Sequence, residues 1–270
     1  MKLGISSYAY RWALGGDLRF GDDFELTEPL DVFGLIDTVS ALGLEVLQIC
    51  ENVDFHMADE DYRRLAEVAG SKGITLELGD SGIDASIVDR NVRISDLMDS
   101  HLLRLYPEKR EPIATLIRKL RGFLPVLRDR GLTLAIENSS LCLYSCHQLA
   151  KIFKRIDDPL VGACMDVANS TGLLEKPLET ARVLSPYAIS LHLKDFRIER
   201  RDVGGFTIFG VPLGKGMIDV KAVLDTISES GHQPDVLLEQ WMDKRENEEE
   251  TLKEEERWMR ESVRFLHSLM

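Results

Sequence analysis

Four residues carry most of the chemistry this chain can offer. Glu137 ends the apolar run Leu132-Thr133-Leu134-Ala135-Ile136, and Asp166 ends Val161-Gly162-Ala163-Cys164-Met165. His192 follows Ile189-Ser190-Leu191, and Glu239 follows Val236-Leu237-Leu238. A short apolar strand that ends in a polar side chain is how a parallel α/β fold presents a reactive group. Three carboxylates brought together as anions repel strongly, so one must take a proton or a cation must sit among them. One imidazole with carboxylate oxygens suits a divalent cation, Mn2+, Mg2+, Co2+ or Zn2+, and the donor set alone does not choose. Taken singly, a strand-end acid is more often a loop cap, and a lone His a satisfied half-buried ring. The repetition at successive strand ends is what favours a metal.

The elements that must position these residues follow from periodicity. Strands are expected at Leu3 to Tyr8, Leu44 to Cys50, Ile74 to Gly79 and His101 to Tyr106, and in the four segments above. Helical spacing covers Leu30 to Leu42, Asp59 to Lys72, Ser86 to Ser100, Pro112 to Arg130, Ser145 to Ile156, Pro177 to Leu184, Val220 to Ser230 and the charged tail Glu248 to Leu269. Gly43, Gly73, Gly131 and Gly231 stop helices, Ser145 and Asp219 cap them, and Pro177 opens one. Strand and helix alternate eight times in 270 residues. That reads as a single (β/α)8 TIM barrel over residues 1–270, an α/β fold whose strand ends converge on one face. A doubly wound sheet is the alternative, but strand one runs into Ser6-Ser7-Tyr8-Ala9 without the Gly-rich phosphate turn.

Two stretches lie outside this repeat. Ala9 to Pro29 holds Tyr10, Trp12, Phe20 and Phe24. It is either a lid with Trp12 as a substrate contact or an excursion pinned to the body by its aromatics. Glu199 to Gly216 is Gly-rich and expected to be irregular. Within it, Gly210-Val211-Pro212-Leu213-Gly214-Lys215-Gly216 can bind an anion through backbone N–H groups and Lys215, or can be a tight connection, the favoured reading.

The net charge of −13 argues against nucleic acid or an anionic membrane as a partner. The four cysteines read as thiols of a reducing compartment, with Cys50 and Cys164 in the core. Cys142 and Cys146 lack the second pair a zinc module needs. With no signal-peptide pattern and no membrane-length apolar run, the expected location is cytoplasmic.

The segments Ala135-Ile136-Glu137-Asn138, Met165-Asp166-Val167-Ala168-Asn169, Leu191-His192-Leu193-Lys194-Asp195 and Leu238-Glu239-Gln240 resemble the four ligand segments of the xylose isomerase-like sugar isomerase/epimerase superfamily, which includes endonuclease IV relatives. The resemblance runs from the first strand to Glu239. It implies a TIM barrel and one divalent ion held by Glu137, Asp166, His192 and Glu239. In the ketose 3-epimerases of this group the two ligand glutamates double as acid and base, which places Glu137 and Glu239 as catalytic residues. Those epimerases carry a His three residues after the ligand Asp, where this chain has Asn169. Asn169 can hydrogen-bond a substrate but cannot shuttle a proton. A family Arg lies beyond the ligand His; Arg197 is near that position but displaced. Lys194 is expected either to meet a substrate carboxylate or developing enolate, or to pair with Asp195 at the rim.

The resemblance therefore implies a divalent-metal-dependent isomerase or epimerase acting on a small keto-sugar or sugar acid through an enediolate. The alternative is a metal-dependent decarboxylase of a 3-oxo sugar acid such as 3-oxo-isoapionate, because losing CO2 leaves the same enediolate. Asn169 and the Gln240-Trp241 pair after Glu239 resemble a subgroup away from the well-characterised epimerases. Endonuclease IV-like phosphodiester hydrolysis needs several His, and of six only His192 stands at a convincing strand end. A non-catalytic sugar-binding barrel is disfavoured because all four ligands are present. Barrels of this superfamily often pair, so a homodimer is expected.

Overall fold

The computed structural model describes residues 1–17, 22–53 and 57–270. Phe20 lies outside them. Eight parallel strands close into a barrel: β1 (Leu3–Ser6), β2 (Val46–Ile49), β3 (Thr75–Ser81), β4 (Leu102–Tyr106), β5 (Thr133–Glu137), β6 (Val161–Asp166), β7 (Ala188–Leu193) and β8 (Asp235–Leu238). Each pairs with its chain neighbours, and β1 closes the ring between β8 and β2. Around them run α1 (Val32–Ala41), α2 (Asp59–Ser71), α3 (Ala85–Met98), α4 (Ile113–Arg130), α5 (Cys146–Ile156), α6 (Pro177–Leu184), α7 (Val220–Glu229) and α8 (Glu248–His267).

The local signals act as physical chemistry requires. Ser145 caps α5 in a reciprocal box with Gln148. Asp219 accepts from Ala222 N at the start of α7. Gly131 ends α4 at a φ of +63°, where a side chain would cost free energy. Ile5, Leu47, Leu78, Leu103, Leu105, Leu134, Ile136 and Leu191 are fully buried, as strands covered on both faces demand. Cys50 and Cys164 are buried as expected, and all four thiols are free. No helix among the described residues is long and apolar enough to cross a membrane.

Two features differ from the sequence expectations. The first strand stops at Ser6, two residues short of Tyr8. Ser6 Oγ accepts from Tyr8 N and turns the chain into a 3-10 helix, Ser7–Tyr10. The expected irregular stretch contains an antiparallel hairpin, Asp195–Arg200 with Phe206–Val211, turned at Gly204 and Gly205. Its Phe206 and Ile208 are exposed, so its pattern lacks the buried alternation that marks a strand. The stretch after β1 follows the second of its two expected readings and is pinned to the body by its aromatics. Trp12 Nε1 donates to Met242 O at 2.8 Å, its ring meets Phe24 edge-on at 5.4 Å, and Tyr10 OH donates to Glu256. The buried carboxylate of Glu255 on α8 accepts from Trp12 N at 2.7 Å and Ala13 N at 2.9 Å. α8 therefore lies on the barrel and holds this segment in place.

Candidate metal centre

Parallel register carries the four strand-end residues to one mouth of the barrel. Asp166 stands beside His192 across β6 and β7, and Glu239 N bonds Leu193 O. One donor atom each from Glu137, Asp166 and His192 lie within 4.8 Å of one another. Glu239 joins through His192, whose Nδ1 is 3.1 Å from Glu239 Oε1 and 3.7 Å from Glu137 Oε1. All four side chains are buried.

Each ligand candidate is oriented by neighbours. Asp166 Oδ1 accepts from Ala168 N at 2.8 Å and Asn169 N at 2.9 Å, which turns Oδ2 inward. Asn138 clasps the Asp166 backbone, donating to its carbonyl and accepting from its N–H. Glu137 Oε1 accepts from Asn169 Nδ2 at 3.0 Å, and Glu137 Oε2 lies 2.8 Å from Arg104 Nε. Glu239 Oε1 accepts from Ser6 Oγ at 2.7 Å. The Lys194 ammonium bridges Asp166 Oδ2 at 2.7 Å and Glu239 Oε2 at 2.6 Å. Lys194 thus faces the acidic cluster, not Asp195.

The donor set of carboxylate oxygens and one imidazole is of the kind that suits a divalent ion. Four carboxylates, Glu51, Glu137, Asp166 and Glu239, face two permanent cations, Arg104 and Lys194. Burial pushes Asp166 up, and Glu239 and Glu137 add to this against Lys194, so its carboxyl stands above the ordinary range. Burial also pushes Glu137 up, but Arg104 and His192 outweigh it and hold the carboxyl low. Glu239 is held lower still, because Lys194 and His192 overcome its burial. Burial alone would push the His192 ring down; Cys164 and the nearby carboxylates push it well up. A cation at Nδ1 therefore competes with a proton. Nδ1 is buried and outside hydrogen-bonding geometry with any group, an orphan that a metal satisfies.

Above the cluster opens a cavity of about 340 Å³. Glu137, Glu239, Asn169 and Lys194 line it together with Arg11, Arg104, Tyr8, Tyr106, Ser139 and Trp241. The Lys194 ammonium also lies over the Trp241 ring, 4.9 Å from its centroid.

The other substrate-contact candidates do not reach this cavity. Trp12 is buried in a separate apolar cluster with Met242 and Trp258. Arg197 is exposed on the hairpin and paired with Glu199 at 2.6 Å; it lines a surface groove with Lys215. The Gly-rich segment does bind an anion through its backbone, but that anion is internal. Asp195 accepts from Phe196, Gly214, Gly216 and Ile218 N–H groups at 2.8–3.1 Å. A Cβ at Gly216 would overlap Asp195 Oδ1, so the close approach requires glycine. The segment is a tight connection folded around the Asp195 carboxylate.

Sequence reasoning passed over Arg104, Gln48, Glu77 and Ser6. Their signal was a polar letter inside an apolar strand, as in Leu102-Leu103-Arg104-Leu105 and Val46-Leu47-Gln48-Ile49. An inward polar residue in a packed barrel needs a partner. Cys142 and Cys146 belong to no metal group among the described residues; Cys146 instead meets Glu175.

A closed (β/α)8 barrel with a buried acid–imidazole cluster at its C-terminal mouth defines a class of metal-assisted enzyme folds. Within it, the chain belongs to the xylose isomerase-like TIM-barrel family, whose sequence model matches residues 36–268. Over 277 aligned residues it is 26% identical to 3-oxo-isoapionate decarboxylase of Pectobacterium atrosepticum, covering 99% of this chain and 96% of that protein. Among solved structures it is similar to D-psicose 3-epimerase of Clostridium cellulolyticum H10 with D-tagatose. That pair has a TM-score of 0.72 at 15% identity, covering 100% of this chain and 98% of the other. A xylose isomerase-like barrel of Mycobacterium smegmatis in complex with magnesium gives 0.66 at 13% identity, covering 97% and 96%.

Proposed function

We propose that this protein is a divalent-metal-dependent carboxy-lyase that decarboxylates a 3-oxo sugar acid through an enediolate. The observation that carries the reading is the end-to-end similarity to the decarboxylase. The cavity chemistry agrees with it. A space of about 340 Å³ suits one small sugar acid, and Lys194 offers a cation at its floor. Glu137, Asp166, His192 and Glu239 would hold the ion. When bound, the ion supplies Lewis-acid polarisation of the substrate oxo and hydroxyl oxygens.

The chain's residues do the rest. Lys194 orients the substrate carboxylate. Asn169 Oδ1, buried and unpartnered within the protein, accepts from a substrate hydroxyl. The bond from the carboxylate carbon to C2 breaks, CO2 leaves, and the electron pair forms the C2–C3 enediolate. The Lys194 ammonium, held by Glu239, then returns one proton to C2. Glu137, bonded on both oxygens by Arg104 and Asn169, holds its place.

A second reading is epimerisation or isomerisation, favoured by the presence of both Glu137 and Glu239 in the cavity wall. The two separate in one assay. Mn2+-loaded protein is incubated in D2O with 3-oxo-isoapionate and, separately, with a panel of ketoses. CO2 release from the acid supports the lyase. Deuterium entering a ketose without CO2 release overturns it in favour of the isomerase class.

A further inference from the structure

His192 presents one ring nitrogen to the carboxylates and hides the other inside the barrel. Nε2 lies 3.0 Å from Gln48 Oε1, and Gln48 Nε2 donates to Glu77 Oε2 at 2.8 Å. His192 and Gln48 are wholly buried and Glu77 nearly so. Register sets Gln48 of β2 directly beside Glu77 of β3 and Ser6 of β1, so the three form one polar layer beneath the acidic cluster. An amide and a carboxyl inside a packed barrel cost free energy that leucines would not, and such positions ask for a reason.

Hydrogen-bond chemistry supplies one. Glu77 Oε2 accepts from Gln48 Nε2, so the NH2 end of Gln48 faces Glu77. The carbonyl end of Gln48 then faces His192, and a carbonyl accepts only. Nε2 must therefore carry the ring hydrogen, which leaves the Nδ1 lone pair directed at Glu137 and Glu239. The opposite tautomer would put a hydrogen on Nδ1 and close it to a cation.

We infer that Gln48, aligned by Glu77, is a positioning residue that fixes the His192 tautomer and so makes Nδ1 a cation-binding atom. This rests on the metal reading of the cluster. It differs from the commoner arrangement only in that a neutral amide, not a carboxylate, meets the imidazole, with the carboxylate one step further back.

The test compares three full-length proteins for Mn2+ affinity by calorimetry: wild type, Gln48→Leu, and the exchanged pair Gln48→Glu/Glu77→Gln. The exchange keeps an acceptor opposite His192 and reverses the direction of the bond behind it. Gln48→Leu is expected to bind about 10–100-fold more weakly, while the exchanged pair stays within about threefold of wild type. Zn2+-loaded, 15N-histidine-labelled wild type is expected to show a protonated Nε2 and a metal-shifted Nδ1. Wild-type affinity in folded Gln48→Leu overturns the inference, as does an exchanged pair as weak as Gln48→Leu. The opposite tautomer in the wild-type spectrum overturns it without any variant. A wild type that takes up no Mn2+ removes the metal centre itself, an outcome distinct from the other three.

Discussion

Lys194→Met separates the two jobs this ammonium is placed to do. Its Nζ bridges Asp166 and Glu239 at 2.7 and 2.6 Å, and all three groups are buried. Removing one member of a buried ion pair costs about 3–5 kcal/mol, because the remaining charge is left unpaired. For a chain of this size each kcal/mol lowers the melting temperature by about 2–4 °C, so EDTA-treated Lys194→Met should melt roughly 6–20 °C below wild type. A divalent ion among the same carboxylates restores what the ammonium supplied. At a thousandfold excess over Kd, Mn2+ returns about 4 kcal/mol. Affinity for Mn2+ should also rise, since the ion no longer competes with a resident cation. Relief of even a third of the penalty is about 1.4 kcal/mol, a factor of about ten. CO2 release should fall, because the substrate carboxylate loses its partner. Thermal melts with EDTA or Mn2+, calorimetry and a CO2 assay read the three effects. Unchanged melting in EDTA, or weaker Mn2+ binding, would refute the reasoning.

Further expectations follow from single contacts. Glu239→Gln keeps size but removes the carboxylate that holds the proton-donating Lys194 ammonium in place, so CO2 release should drop about 10²–10⁴-fold, read by single-turnover assay. Burial pushes Glu255 up to about 8, against the two backbone N–H groups it accepts. Its folded value lies above its unfolded one, so its stabilising contribution is complete below about pH 4 and is lost as pH rises through about 8. Urea melts of Glu255→Gln across that window should show a flatter decline than wild type, by an amount on the order of a few kcal/mol; parallel curves would contradict the assignment. Asp195→Ala strips the acceptor from four backbone N–H groups and should cost about 2–5 kcal/mol, with faster hydrogen exchange at Gly214, Gly216 and Ile218.

The barrel was legible because its signals are local. Each strand is a short apolar run, each helix carries its own cap or stop, and their even alternation leaves little room for another fold. The convergence of Glu137, Asp166 and His192 followed from that topology alone, since parallel strands in a closed barrel must bring their ends together. What hid was whatever depends on partners distant in sequence. Nothing local says that Lys194 turns toward Asp166 while Asp195 turns away to collect backbone N–H groups. Nor does anything local tie Trp12 to Met242, 230 residues away. The hairpin at Asp195–Arg200 and Phe206–Val211 hid for a related reason: an exposed two-stranded ribbon has no buried face to write a period into the sequence.

Asn169 shows how one side chain can bear on the choice of reaction. Its backbone N–H holds Asp166 Oδ1 and one Nδ2 hydrogen holds Glu137 Oε1, so the residue orients two members of the cluster. The acceptor Oδ1 and the second Nδ2 hydrogen remain for substrate, and an amide does not transfer a proton at neutral pH. Glu137 is bonded on both oxygens by Asn169 and Arg104, and Arg104 holds it as an anion. Glu239 is bonded on both oxygens too, by Ser6 and Lys194, but the lysine ammonium can give up a proton and the Arg104 guanidinium does not. Epimerisation asks for a proton to leave one face of a carbon and another to arrive at the opposite face. Decarboxylation asks only that one proton arrive after CO2 has gone. A site that pairs one glutamate with a lysine ammonium and the other with an arginine meets the second demand more readily than the first.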